Sequence, residues 1–196
     1  MQDGRERQSD NELVETCNHG GARDAAAAFA VLYRRHRDFV LRVALRFVAE
    51  RELAHDALQE TFTYLLRQFP PTGRGLTLTA RLTTYLYPIA KNFALTSARK
   101  SRRYTHADDE LIEALPDADE RTPEKAADTS SDALDRALAC LSPERREVLT
   151  LRFVDDLSLE EIAGALDIPL GTVQSRLHLA IKALRNDPTI NELFEP

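Results

Sequence analysis

The sequence predicts an all-α protein of two small helical domains joined by an acidic, flexible linker. Apolar residues recur every three or four positions over most of the chain, which is the period of an amphipathic helix. Only seven glycines are present, and no stretch alternates apolar and polar residues as a strand would. Charge also divides the chain: residues 1–103 carry a net +6, residues 104–131 a net −7 and residues 132–196 a net −5. This asymmetry predicts different partners for different parts of the chain.

The N-terminal stretch and the cysteines bear on the cellular compartment. Residues 1–22 predict a frayed, polar lead-in that lacks the apolar core of a signal peptide. No apolar run approaches the roughly 18 residues that a membrane span needs, so we expect a cytoplasmic chain without membrane insertion. Cys17 and Cys140 match no metal-ligand spacing and fit reduced thiols. Cys140 lies in an apolar helical stripe, which predicts that its side chain is buried.

Residues 23–104 predict a helical N-terminal domain. A helical pattern begins at Asp24 and indicates one long helix, or two helices that break near Arg37-Asp38. A second helix is expected from roughly Glu52 to Gln68. The apolar-face residues are Phe29, Leu32, Tyr33, His36, Val40, Val43 and Phe47 in the first pattern and Leu53, Ala57, Leu58, Phe62, Leu65 and Leu66 in the second.

One side of the second predicted helix is polar. Asp56, Gln59, Glu60 and Thr63 fall together there, because they are spaced by three or four residues. On composition alone this pattern favours a solvated face over a binding surface.

The same domain ends in a loop and a basic helix. Phe69 to Ala80 contains two prolines and two glycines, which predict either a partner-binding loop or an ordinary connector. A third helix is expected from about Arg81 to Arg103, with a kink or a helix start at Pro88. Its C-terminal cations suit the helix dipole. Together with nearby aromatic rings they also fit a phosphate-binding surface with platforms for unstacked bases. The aromatic residues are Tyr85, Tyr87 and Tyr104.

A linker and a second domain follow. Residues 105–131 are rich in acids and poor in apolar residues, which predicts a flexible tether. Residues 132–188 predict a C-terminal domain of four helices, and residues 189–196 form a tail. The first of these helices begins at about Asp132. Ser142-Pro143-Glu144 starts the next helix, with serine as the N-cap and proline at the first position.

The stretch from Ser158 to Arg185 predicts a helix-turn-helix. Ser158 and Glu161 form a capping box, and Asp167 to Pro169 breaks the pattern before a second helix. An apolar stripe on that helix leaves a polar face that can enter the major groove. An αα-hairpin with a solvated polar face is the alternative. The stripe is Val173, Leu177, Ala180, Ile181 and Leu184; the opposite face is Thr172, Ser175, His178, Leu179 and Lys182, flanked by Gln174 and Arg176.

Two of these stretches, about residues 25–103 and 132–186, resemble a bacterial RNA polymerase sigma factor of the extracytoplasmic-function (ECF, group IV) type of the sigma-70 family. The resemblance implies that region 2 binds core polymerase and the −10 promoter element, and that region 4 binds the −35 element. The matching patterns are D-x-x-Q-E-x-F (Asp56, Gln59, Glu60, Phe62), I-A-x-N (Ile89, Ala90, Asn92) and G-T-V-x-S-R (Gly171 to Arg176).

The resemblance also implies roles for individual residues. The D-x-x-Q-E-x-F surface would dock on the clamp helices of core polymerase. Further implied partners are the flap of a β-type subunit and an anti-sigma factor or other inhibitory partner. No cofactor or metal is implied. The residues expected at the −10 element are Arg74, Tyr85, Lys91, Asn92, Arg99, Lys100, Arg102 and Arg103; those expected at the −35 element are Thr172, Gln174, Ser175, Arg176, His178, Leu179 and Lys182.

Four positions depart from the family pattern. Tyr85 replaces the usual tryptophan, Pro88 is unusual within its helix, and Gln174 replaces a common lysine. Leu179-Ala180-Ile181 stands where R-A-R is usual. Fewer cations mean fewer phosphate contacts, so duplex binding by the C-terminal domain alone is expected to be weak and less dependent on salt.

A promoter-specificity subunit is therefore the expected function. The alternatives are a free-standing helix-turn-helix regulator and a helical adaptor with weakened DNA contacts. An enzyme is the least expected class, because the five histidines show no H-x-x-x-H spacing. The G-R-G at residues 73–75 is far short of a phosphate-binding loop.

Overall fold

A computed structural model describes residues 5–105 and 138–186. Throughout these residues the regular elements are helices, which confirms the predicted all-α class. The chain divides into two compact units, Met1–Ile112 and Glu113–Pro196. The predicted linker beyond residue 105 and the predicted tail lie outside the described residues.

The described part of the N-terminal unit contains four α-helices. They are α1 (Asp10–His19), α2 (Ala22–Leu45), α3 (Arg51–Gln68) and α4 (Leu82–Thr105), preceded by one 3-10 turn at Arg5–Arg7. α2 is a single continuous helix, so the chain does not break near Arg37-Asp38. The helices α2, α3 and α4 pack against one another. Their fully buried side chains include Leu32, Val40, Val43, Ala54, Ala57, Leu65, Leu82, Leu86 and Ala90.

The predicted frayed lead-in is wrong, because residues 10–19 form the docked helix α1. Ser9 and Glu12 make a reciprocal capping box at its start. Leu13, Val14 and Cys17 are buried against the unit, since spacings of one and four residues place them on one side. A ten-residue helix has too few apolar positions to stand out in a polar segment, and its stability comes from packing.

Helix α4 runs through Pro88 without interruption. It begins six residues earlier at Leu82, so Pro88 does not start the helix. Proline lacks the N–H that would donate to the carbonyl of Thr84 four residues before it. Close to this position the hydroxyls of Thr83 and Thr84 are buried without a hydrogen-bond partner among the described residues.

Replacing Pro88 by alanine is expected to raise the free energy of unfolding of the N-terminal unit by about 1–2 kcal/mol. Proline inside a helix costs about 3 kcal/mol, and its stiffening of the unfolded chain offsets about 1 kcal/mol of that cost. Urea denaturation followed by circular dichroism measures the change. Pro143→Ala is the control, because Pro143 occupies the first position of a helix, where proline is well tolerated. An unchanged or lower midpoint for Pro88→Ala would contradict the expectation.

Three described helices build the C-terminal unit: α5 (Pro143–Phe153), α6 (Leu159–Leu166) and α7 (Leu170–Arg185). Of the helix predicted from about Asp132, only its last residues, 138 and 139, are described. The guanidinium of Arg146 on α5 donates to the carbonyls of that helix end and of the turn after it, and so satisfies acceptors that the helix leaves open. Among the described residues, the buried apolar core is Leu141, Val148, Leu151, Leu157, Ile162, Ala165, Val173 and Ala180.

The helix-turn-helix has the predicted capping and turn. Ser158 accepts a hydrogen bond from the Glu161 amide, and the Glu161 carboxylate accepts one from the Ser158 amide. Asp167 ends α6 in the left-handed region at φ 53°, and Pro169 is the N-cap of α7, one residue before the predicted first turn. Ser142 holds the N-cap position of α5, although its side chain makes no capping hydrogen bond there.

The burial predicted for Cys140 is wrong. Cys140 lies in the turn after the first helix of this unit and is exposed. The apolar stripe that included it had been extended one residue past the end of the helix, where helical periodicity no longer fixes the side-chain direction.

Candidate functional site

The outward face of α3 carries the polar residues that the sequence places on one side. Asp56, Gln59, Glu60 and Thr63 are all exposed. Phe62, which completes the D-x-x-Q-E-x-F pattern, is only 4% exposed. Its ring packs edge-on against Tyr33, with 4.8 Å between the ring centroids. Phe62 therefore supports the face from beneath, and the prediction that it is itself a docking residue is not supported by its position.

Leu66 extends this face, although the apolar pattern placed it in the core. It is 51% exposed. Residues seven apart lie on nearly the same side of a helix, so Leu66 follows Gln59 along α3. We call Asp56, Gln59, Glu60, Thr63 and Leu66 the α3 docking face. An exposed leucine beside carboxylates and an amide suits a protein partner, because protein interfaces surround an apolar centre with polar groups.

The loop between α3 and α4 folds back on the end of α3. The Gly73 amide donates to the Phe69 carbonyl at 2.8 Å, and the Gly75 amide donates to the Gln68 carbonyl at 2.9 Å. Arg74 stands between the two glycines with an exposed side chain. Phe69 and Leu76, on either side of this turn, are buried. The loop is thus anchored at both ends and presents Arg74 at its tip.

The aromatic residues of α4 differ in their surroundings. Tyr85 is half-buried, and its hydroxyl is hydrogen-bonded to the Tyr64 hydroxyl on α3. Burial, the nearby Tyr64 and that hydrogen bond raise the pKa of Tyr85. Tyr87 is only 1% exposed, so it cannot serve as a base-stacking platform as predicted. The side chain of Tyr104 lies outside the described set.

The polar residues predicted on α4 fall on more than one side. Tyr85, Asn92 and Arg99 are seven residues apart and share one face, and Asn92 and Arg99 are exposed. Lys100 is exposed next to that face. The Lys91 ammonium instead lies 5.4 Å from the centroid of the Phe47 ring, a cation–π distance. The side chains of Arg102 and Arg103 are outside the described set.

The outer face of α7 carries most of the residues predicted for the −35 element. Val173 and Ala180 are buried on its inner side. Leu179 is 38% exposed and points outward, as predicted. The other predicted −35 residues divide into exposed and half-buried sets: Gln174, Ser175, His178 and Lys182 are exposed, and Thr172 and Arg176 are half-buried.

Arg176 lies close to an acid of the neighbouring helix α5. The pKa of Glu144 is lowered, first by its own backbone amide and the Ser142 hydroxyl, and then by the charges of Arg176 and Arg145. Glu144 therefore stays ionised and reduces the positive potential at Arg176. The recognition surface is still less cationic than the sequence of α7 alone indicates.

An apolar patch at the end of α5 was not recognised from the sequence. Phe153 is 63% exposed and Val154 is 58% exposed. Phe153 fits the apolar pattern of α5, but it is the last residue of the helix, where that pattern no longer predicts burial. Exposed aromatic and branched residues side by side are typical of protein-binding surfaces.

Two protein-family models match the chain: Sigma-70 region 2 matches residues 32–104 and Sigma-70 region 4 matches residues 131–184. The ECF RNA polymerase sigma factor SigL of Mycobacterium tuberculosis is 35% identical, over 85% of this chain and 92% of SigL. This chain belongs to the ECF sigma factors of the sigma-70 family. The RNA polymerase sigma-H factor of Pseudomonas aeruginosa is 32% identical to this sigma factor, over 91% of this chain and 93% of that protein.

Solved structures share the fold of this sigma factor. The sigma factor RpoE, solved with the anti-sigma factor NepR from Bartonella quintana, matches with a TM-score of 0.54 and 20% identity, over 81% of this chain and 93% of that chain. CnrH, solved with the cytosolic domain of CnrY, matches with a TM-score of 0.61 and 18% identity, over 96% of this chain and 100% of that chain. At these identities the likeness concerns the fold.

As a sigma factor, the protein is a promoter-specificity subunit of bacterial RNA polymerase and not an enzyme. Regions 2 and 4 are both present, so a free-standing helix-turn-helix regulator is not favoured. The region 2 match begins within α2, so α1 lies ahead of it. None of the described helices is long and apolar enough to span a membrane.

Proposed function

We propose that this sigma factor binds core RNA polymerase through the α3 docking face, opens the −10 element with the α3–α4 loop and α4, and reads the −35 element with α7. The observation that supports it most is that, among the described side chains, most of the predicted polar residues of α3, α4 and α7 are exposed, whereas Phe62 and Tyr87 are buried. The surfaces for polymerase and DNA are thus separate from the core that holds each region together.

In this proposal the −10 element is held by cations and one aromatic ring. Arg74 at the loop tip contacts the edge of an unstacked base, and Arg99 and Lys100 on α4 contact the phosphates of the opened strand. Tyr85 and Asn92, on the same side of α4 as Arg99, lie against the unstacked bases. Lys91, which lies over the Phe47 ring, has a supporting role. Arg102 and Arg103 extend the basic run beyond the described side chains.

Region 4 contributes a weak DNA surface and a protein contact. The outer face of α7 reads the −35 major groove, and Leu179 fits a thymine methyl group. The Phe153–Val154 patch binds an apolar element of the polymerase flap. Because the two promoter contacts are tethered through core polymerase, each can be weak while the pair is selective. The protein acts in the cytoplasm, and an anti-sigma factor, as NepR is named in the RpoE structure, restrains it there.

Gln174→Lys is expected to strengthen binding of the full chain to a −35 duplex and to steepen its salt dependence by about 0.9 in the slope of log K against log salt. Gln174 is exposed on the recognition face, so a lysine there can reach one more phosphate. Fluorescence anisotropy over a salt series measures both quantities. Asn11→Lys on α1 adds the same charge elsewhere and serves as the control. Equal slopes for the two variants would show that Gln174 does not face the DNA backbone.

Run-off transcription with purified core polymerase on a promoter library tests the proposal as a whole. The chain is expected to produce start sites that share a −35 and a −10 motif and that are absent with core alone. Arg99→Glu with Lys100→Glu is expected to prevent opening at those promoters while leaving core binding intact. Core binding without any new start sites would contradict the proposal.

A further inference from the structure

Helix α1 is hydrogen-bonded to the loop that carries Arg74. The Asn18 side-chain amide donates to the Leu76 carbonyl at 2.8 Å, and the Leu76 amide donates to the Asn18 side-chain oxygen at 2.9 Å. One asparagine side chain thus satisfies both backbone groups of a loop residue that lies 58 positions further along the chain. We call this pair of hydrogen bonds the Asn18–Leu76 clamp.

The backbone at Gly75 fits the Asn18–Leu76 clamp. Gly75 has a φ of +97°, a region that side chains of other residues rarely adopt. A Cβ atom at this position would lie 2.9 Å from the Asn18 side-chain oxygen. Glycine is therefore needed both for the turn and for the close approach of Asn18.

The clamp fixes the C-terminal side of the loop tip, and α3 fixes the other side. The Gly73 amide donates at 2.8 Å to the carbonyl of Phe69, the residue that caps the C-terminal end of α3. Arg74 is held between this bond and the clamp, with its side chain exposed. α1 is itself secured on α2, because Leu13, Val14 and Cys17 are buried and Asp10 is hydrogen-bonded to His36.

We propose that α1 is a positioning element for the α3–α4 loop and that Asn18 is the positioning residue that presents Arg74 to the −10 element. This inference rests on the proposed role of the loop in −10 recognition. Ordering a free loop costs backbone entropy for every residue that becomes fixed. Because the clamp orders the loop during folding, that cost does not weaken the binding of the promoter strand.

Hydrogen exchange tests the clamp without reference to DNA. In Asn18→Leu the exchange rate of the Leu76 amide is expected to rise about tenfold, because the net free energy of such a hydrogen bond corresponds to a factor of about that size. Gly75→Ala is expected to raise it as well, because the new methyl group displaces the Asn18 side chain. The matched control is Gly21→Ala, since a Cβ at Gly21 meets nothing within 4 Å. Leu76 exchange that is unchanged in both Asn18→Leu and Gly75→Ala would overturn the proposal.

Promoter opening by the holoenzyme tests the positioning role. Asn18→Leu is expected to reduce the preference for the matched −10 element over one with a single base change by about tenfold. This factor corresponds to the net free energy of one hydrogen bond of the clamp. Affinity for core polymerase is expected to stay as in wild type. The positioning role would be overturned if Asn18→Leu exchanges the Leu76 amide faster but keeps the −10 preference, while Arg74→Ala loses that preference. If Arg74→Ala and the loop variants all keep the preference, the proposed loop contact with DNA fails as well, and hydrogen exchange alone then decides whether the clamp orders the loop.

Discussion

Asp56→Lys combined with Glu60→Lys is expected to lower the affinity of the sigma factor for core polymerase by about 100-fold or more, because like charges placed opposite one another at an interface cost several kcal/mol. Both carboxylates are exposed on the α3 docking face and are four residues apart. Their side chains point away from the core, so the reversal is expected to leave the helical fold intact. Transcription from sigma-dependent promoters should fall in parallel. Competition binding to core polymerase against an unlabelled sigma factor measures the loss.

A matched control separates the position of these charges from their number. Glu15→Lys with Asp38→Lys makes the same change in net charge on α1 and α2, where the side chains are 62% and 71% exposed. This control is expected to bind core polymerase nearly as the wild type does, since exposed charges remote from the contact are screened within about 10 Å. An equal loss for both double variants would indicate a general electrostatic effect and would contradict a specific role of the α3 docking face. Leu66→Ala, with its charge unchanged, then tests whether the apolar end of the face contributes.

The helical periodicity of apolar residues was sufficient to predict much of the fold. α2 has apolar residues at helical spacing over its whole length, and its 24 residues form one helix. The helix-turn-helix was predicted with its capping box, its turn and the outward face of α7, because short-range chemistry fixes all three. These are features in which local preference and burial favour the same structure.

Burial of single residues on helices that are apolar on several sides could not be predicted. α3 and α4 each have more apolar residues than one face can bury. Helical periodicity alone therefore does not distinguish Leu66, which is exposed, from Leu65, which is buried. The same ambiguity made Tyr87 a candidate platform, whereas Phe62, which the pattern placed on the apolar face, became a candidate contact only through the family motif. The resemblance to a family indicated which motif matters, but not which of its residues reach the surface.

Contacts between segments that are distant along the chain also could not be predicted from the sequence. Nothing in the chain near Asn18 indicates that its amide meets the backbone of Leu76, or that Glu144 approaches Arg176. α1 was missed for a related reason. Its docking depends on three buried residues and on one acid, Asp10, whose partners lie 25 and 26 residues away on α2.

Asp10→Asn is expected to destabilise the docking of α1 by about 2 kcal/mol at neutral pH, the usual cost of leaving a buried polar group without its charged partner. The Asp10 carboxylate accepts from Nε2 of His36 at 2.8 Å and forms an ion pair with Arg35. The His36 side chain is only 8% exposed, so water cannot readily compensate for the lost carboxylate charge. In a Cys140→Ser background, the labelling rate of the Cys17 thiol reports undocking, because burial raises the pKa of Cys17 to about 11. A loss of 2 kcal/mol corresponds to a rate about 30-fold higher.

The effect of Asp10→Asn is also expected to depend on pH. Burial acts to raise the pKa of Asp10, but hydrogen bonds and charges from His36 and Arg35 outweigh it, so the pKa is lowered. A carboxyl with a lower pKa in the folded state contributes stability that is complete above its unfolded-state pKa and is lost as the pH falls through its folded-state pKa. The difference between wild type and Asp10→Asn in urea denaturation should therefore be constant near neutral pH and shrink below about pH 4. Asp24→Asn, which removes an exposed ion pair with Arg5, is the control and is expected to change stability by less than about 1 kcal/mol throughout. A difference for Asp10→Asn that persists undiminished at pH 3 would show that the carboxylate charge does not hold α1 in place.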